Sequence, residues 1–119
     1  MADNRRTSRL AEQILRDIST KMEGELAERL TGMVTFTRVR LSNDLRYATV
    51  YYSVLGEEDD REETAAYLER NKNRIRKLVG SELRIRYIPE FTFKFDPSIE
   101  ESIRIQQLLD EIKSDTESE

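Results

Sequence analysis

The chain has 119 residues, 37% apolar and 37% charged, with a net charge of -4, no cysteine and no histidine. That length fits one domain with a single small core under a charged surface. The missing residue types exclude a disulfide framework, thiolate metal sites and every nucleophile triad that depends on histidine or cysteine.

Residues 4–28 read as a helix. Leu10, Ala11, Ile14, Leu15, Ile18 and Met22 recur at spacings of three and four and form one apolar stripe. Asn4 or Thr7 is a candidate cap. Arg5, Arg6 and Arg9 crowd its first turns, where the helix dipole disfavours cations. They are either simple solvated arginines or a site for phosphate at the amino end.

Leu30-Thr31-Gly32 reads as a turn, and Met33–Leu41 as a β-branched strand. Val34 and Phe36 fall on one face but Val39 and Leu41 on the other, so a bulge is expected near Thr37. Ser42-Asn43-Asp44 is turn chemistry. A second strand follows over Leu45–Leu55, with Ala48, Val50, Tyr52 and Val54 facing the core. The short connection implies an antiparallel hairpin.

The acidic run from Glu57 to Glu63 reads as a loop entering the next helix, whose apolar positions are Ala65, Leu68, Ile75, Leu78 and Val79. Between Leu68 and Ile75 the stripe meets Asn71, Lys72 and Asn73. Two readings stand, an interhelical kink at Asn71, Lys72 and Asn73 or one helix with a polar patch, and the kink is preferred because asparagine tolerates the left-handed region. Gly80 is the expected C-cap. Leu83, Ile85, Tyr87, Phe91, Phe93 and Phe95 then alternate with mostly polar residues, which predicts a strand over Leu83–Phe95, kinked or at an edge because of Pro89. Asp96-Pro97 opens a short last helix containing Ile99, Ile103, Leu108, Leu109 and Ile112. The acidic tail, residues 113–119, is expected to be disordered. The fold class implied is α+β, a two-layer domain with helices on one face of a three-stranded sheet.

Between Arg70 and Arg86 stand seven cations and one anion, a net of +6 in 17 residues. The acids sit elsewhere. Residues 57–63 carry -5 and residues 110–119 carry -4, so the rest of the chain carries +5. This segregation points to a polyanionic partner for the body. The candidate RNA-binding residues are Lys72, Asn73, Arg74, Arg76, Lys77, Arg84 and Arg86, joined by Arg5, Arg6 and Arg9. The alternative is a solvated cationic helix paired with the chain's own acids. Tyr47 and Tyr51 are candidates for stacking on bases, or plain strand formers. The acidic run lacks the glycine and bidentate spacing of a calcium loop. No metal, cofactor or catalytic residue is expected. No run of ~18 apolar residues predicts a membrane span. The polar start shows no secretory signal, and a cytoplasmic protein is expected.

Three segments carry a family resemblance: RRTSRLAEQILRDIS, GMVTFTRVRLSNDLRYATVYYSVLG and NRIRKLVGSELRIRYIPEFTFKFDPSIEESIRI. Over roughly residues 5–110 the chain resembles the ribosome-binding factor A family. The resemblance implies a type II KH-like fold over residues 1–112, with a short kink in place of the GxxG loop. It implies binding to the small ribosomal subunit and its precursor 16S rRNA, support of late maturation including 5′-end processing, support of growth in the cold, and no enzymatic activity. Family members often carry Ala-x-Gly at the kink, where this chain has Asn71-Lys72-Asn73. A monomer is expected. The alternative reading is a protein-interaction or dimerisation module using the exposed sheet.

Overall fold

Three helices and a three-stranded sheet alternate as α1 (Ala2–Arg29), β1 (Met33–Leu41), β2 (Tyr47–Leu55), α2 (Glu58–Gly80), β3 (Glu90–Phe95) and α3 (Ser98–Glu117). The computed structural model describes residues 2–117, and the side chains of residues 5–98 and 101–113. The sheet order is β1-β2-β3, antiparallel between β1 and β2 and parallel between β2 and β3. The α+β, two-layer arrangement expected from the sequence is present.

The core forms where the helix stripes meet the inner face of the sheet. Ala11, Ile14, Ile18, Met22 and Leu26 of α1, which packs along β1 and α2, share one buried cluster with Ala48, Val50, Tyr52 and Val54 of β2. Burial of each large apolar side chain contributes on the order of 2 kcal/mol. The expected bulge is real, since the β1–β2 register shifts between Phe36 and Arg38. It turns Thr37 toward Asp96, whose Oδ2 accepts its hydroxyl at 2.7 Å. The other carboxylate oxygen accepts the Ser98 amide at 3.0 Å, so Asp96 ties the start of α3 to the bulge.

Six expectations are corrected. The chain enters α1 at Ala2, upstream of both proposed caps; Thr7 lies inside the helix, and the Asn4 side chain lies outside the described residues. The acidic run belongs to α2 itself, which starts at Glu58, because its carboxylates favour a helix amino end. Asp60 there accepts the Glu57 amide and the Thr31 hydroxyl.

The third correction concerns the kink. α2 runs without a break through Asn71, Lys72 and Asn73, so the expected division into two helices is absent. Its buried stripe is Thr64, Leu68, Ile75 and Val79, and Ala65 and Leu78 are exposed. Asn71 fills the gap without leaving a polar group unmet. Its amide donates to the Tyr67 carbonyl at 2.9 Å, and its Oδ1 accepts Arg74 Nε at 3.2 Å. No residue there has positive φ.

The remaining three lie at the end of α2 and beyond it. Residues 83–89 are irregular, and only Glu90–Phe95 is strand. Pro89 stands directly before it, at a position where a missing N–H costs no ladder bond. The tail is helical through Glu117, so α3 is longer than expected; residues 118–119 lie outside the described residues. Gly80 also has a different task from a left-handed cap, since no glycine has positive φ. A Cβ there would stand 2.6 Å from Ile88 Cγ1 and 2.8 Å from its Cγ2, so glycine lets residues 83–89 pack on the end of α2.

Candidate nucleic-acid interface

At one end of the molecule, three segments enclose a groove of about 620 Å³. The first turns of α1 contribute Arg6 and Leu10, and the β1–β2 turn contributes Leu45 and Arg46. The α2–β3 connection contributes Arg84, Ile85, Arg86 and Ile88. Leu10, Leu45 and Ile85 are half-buried against the core and give the groove an apolar floor. All four arginines are exposed. Two aromatic rings stand at the groove, Tyr47 at 56% and Tyr87 at 75% exposure. Arg86 lies over the Tyr87 ring, 5.4 Å from its centroid.

Local chemistry fixes each wall. In the hairpin turn the Ser42 hydroxyl donates to Asp44 Oδ1 at 2.7 Å, and the Arg46 amide donates to the same oxygen at 3.2 Å. The Ser42 bond and then the Arg46 amide hold the Asp44 carboxyl below its ordinary range, so it is ionised at neutral pH. Leu45 sits between them at φ 61, the only non-glycine with positive φ among the described residues. A leucine in that region is held under strain of order 1–3 kcal/mol, and such strain concentrates at functional sites. The turn joins β3 through Glu90 N donating to the Arg46 carbonyl at 2.8 Å.

The other wall is held by Arg76. Its Nε donates to the Pro89 carbonyl at 2.8 Å and its Nη2 to the Ile88 carbonyl at 2.6 Å. One α2 guanidinium thus fastens the irregular connection that carries Arg84, Arg86 and Tyr87. Gly80 and the buried Leu83 complete the anchorage.

The expected RNA-binding residues therefore fall into groups. Arg6, Arg84 and Arg86 line the groove. Arg5, Arg9, Asn73 and Lys77 are exposed but do not line it. Lys72 pairs with Glu69 at 2.8 Å. Arg74 grips Glu25 of α1 with both terminal nitrogens, at 2.9 and 2.5 Å, while the Tyr67 hydroxyl donates to the same carboxylate at 2.6 Å. The Arg74 bond is the main reason the Glu25 carboxyl titrates below its ordinary range, and the same contact raises Arg74. The alternative of cations paired with the chain's own acids thus holds for Lys72 and Arg74.

Two groove residues escaped the sequence reading. Arg46 stands apart from the cationic stretch, and only the parallel β2–β3 pairing, with Tyr47 opposite Glu90, brings it beside residues 84–88. Tyr87 follows the alternation of the buried face, but the connection leaves strand geometry before it and turns the ring outward. Tyr51 lies under Arg38, 4.1 Å from centroid to guanidinium, away from the groove. No cluster of three or more metal-ligating side chains occurs among the described residues. No described helix is long and apolar enough to cross a membrane.

Comparison with known proteins gives a consistent picture. A family model described as ribosome-binding factor A matches residues 6–109. The chain is 40% identical over 114 residues to ribosome-binding factor A of Halothermothrix orenii, covering 96% of this chain and 93% of the relative. It is similar to the solution structure of a Thermotoga maritima putative ribosome binding factor A, with TM-score 0.60 and 36% identity over 75% of this chain and 85% of that one. It is also similar to a Thermus thermophilus ribosome binding factor A homology model fitted into a cryo-electron microscopy map of a 30S complex. That match has TM-score 0.63 and 26% identity over 76% of this chain and 96% of that one. The KH-like α+β fold expected from the sequence is the fold of these neighbours.

Proposed function

This chain belongs to the ribosome-binding factor A family, and from that premise we propose that it binds the small ribosomal subunit through the arginine-lined groove, by contacts to RNA phosphates. The family is one of binding factors, not enzymes. The observation that carries the proposal is the convergence of Arg6, Arg46, Arg84 and Arg86 from three separate segments on one groove. Guanidinium groups suit phosphate because they combine permanent charge with a planar fork of donors. The Thermus thermophilus relative, fitted in a 30S complex, supports the partner. The resemblance extends the reading to precursor 16S rRNA, late maturation with 5′-end processing, growth in the cold, a cytoplasmic location and a monomeric free form.

The chain acts by occupancy and release. Phosphate contacts release counterions, so affinity falls with salt at a slope of about 0.7–0.9 per contact. Co-sedimentation of the wild type with purified small and large subunits across a salt series tests the proposal. Steeply salt-dependent association with the small subunit alone is expected. Absence of association with the small subunit at any salt would refute it.

A further inference from the structure

The groove's make-up goes beyond a cationic surface. A duplex presents phosphates and groove edges and has no exposed base face to set against an apolar floor. An unpaired nucleotide offers both a flat apolar base and a phosphate. The groove offers the complement of each. Leu10, Leu45 and Ile85 form the floor, Tyr47 and Tyr87 supply rings, and arginines surround them. Its volume, about 620 Å³, lies within the range of about 300–1,000 Å³ typical of small-ligand sites. Tyr87 is prepared as a platform, since Arg86 stacks on the ring and most of it stays open. Asp44 and Glu90 add two carboxylates to the lining. Glu90 is an acceptor suited to the exocyclic amino group of a base, while Asp44 is held by the Ser42 hydroxyl and the Arg46 amide and pairs with the Arg46 guanidinium at 3.9 Å.

We propose that this groove seats a single unpaired RNA nucleotide, its base stacked on Tyr87 over the apolar floor and its phosphate held by Arg84 and Arg86. The proposal rests on the small-subunit reading and deepens it. It makes the surface selective for single-stranded RNA, with the strained turn at Leu45 holding Arg46 and Tyr47 at the edge of the seat.

The test uses the full chain and a fluorescein-labelled ten-nucleotide single-stranded RNA, with the same sequence as a duplex and adenosine monophosphate as competitor. Tighter binding of the single strand than of the duplex is expected. Tyr87→Ala should weaken the single strand roughly five- to hundred-fold, the range of one lost base stack. Its salt slope should stay unchanged, and Tyr87→Phe should restore binding because the ring is what stacks. Arg84→Ala should lower the slope by about 0.7. Because Tyr87 is exposed, both variants should keep the wild-type circular dichroism spectrum.

Equal binding of single strand and duplex, or no effect of Tyr87→Ala, would overturn the seat. Tighter binding of adenosine monophosphate than of the RNA would overturn the assignment to RNA. If the oligonucleotide fails while salt-dependent binding to small subunits persists, the seat falls and the functional reading stands. If both fail, both fall.

Discussion

Arg76 separates two accounts of the cationic stretch, so its replacement is informative. The guanidinium is half-buried and donates to the Pro89 and Ile88 carbonyls at 2.8 and 2.6 Å. A hydrogen bond from a charged group contributes about 1.5–3 kcal/mol when sheltered, and water recovers part of that at a half-open site. Arg76→Ala should therefore cost about 2–3 kcal/mol. Arg76→Lys keeps one point donor and should cost about half as much. Urea denaturation with an unchanged m-value gives the first number. Hydrogen exchange should show faster opening of residues 83–91 in the variant. Small-subunit binding should weaken because Arg84, Arg86 and Tyr87 lose their anchor, yet its salt slope should stay at the wild-type value. Wild-type stability with a slope reduced by about one would refute this account and make Arg76 a phosphate ligand.

Other outcomes follow from the same contacts. Arg74→Ala and Glu25→Ala, combined in a double-mutant cycle, should show coupling of about 1 kcal/mol, and Arg74→Ala should leave the salt slope of binding unchanged. The Glu25 carboxyl is depressed in the fold, chiefly by Arg74, so its contribution is complete above the ordinary carboxylate range and is lost as pH falls through the depressed value. The stability gap between wild type and Glu25→Gln, followed by urea denaturation, should accordingly shrink on acidification; a gap that widens would reverse the sign. Gly80→Ala should cost about 1–3 kcal/mol by crowding Ile88, and adding Ile88→Ala should recover part of that loss in thermal denaturation. Asp96→Ala removes the acceptor of the Thr37 hydroxyl and the Ser98 amide and should cost about 1–3 kcal/mol, with faster exchange at the start of α3.

Periodicity revealed most of the fold because most of the core obeys it. Ala11, Ile14, Ile18 and Met22 of the α1 stripe and the β2 positions 48, 50, 52 and 54 are buried, while Leu10 and Leu15 of that stripe are half-buried at its edges. Even the bulge was visible, since a change of apolar face within β1 needs an extra residue. The misreadings have more than one cause: side-chain hydrogen bonds within a turn of helix decide one, and packing between separate segments decides another. Tyr67, through its backbone carbonyl, and Arg74 make Asn71 acceptable inside a helix. Arg76 and Gly80 pull residues 83–89 out of the strand that their alternation suggests. The candidate site was half legible. Net charge pointed to a stretch that supplies Arg84 and Arg86 to the groove, but cations spent on Glu25, Glu69 and backbone carbonyls look the same in sequence as those facing solvent. Arg46 could be added only through strand pairing.

The central claim is that the groove arginines, and not those of α2, meet the phosphates of the small subunit. Co-sedimentation with small subunits across a salt series, comparing Arg46/Arg84/Arg86→Ala with Arg74/Arg76/Lys77→Ala, tests it most directly. The groove variant should lose binding and flatten the slope by roughly two to three. The α2 variant should keep a slope within about one of the wild type, whatever its loss of stability. A flattened slope in the α2 variant beside a wild-type slope in the groove variant would contradict the account and move the interface to α2.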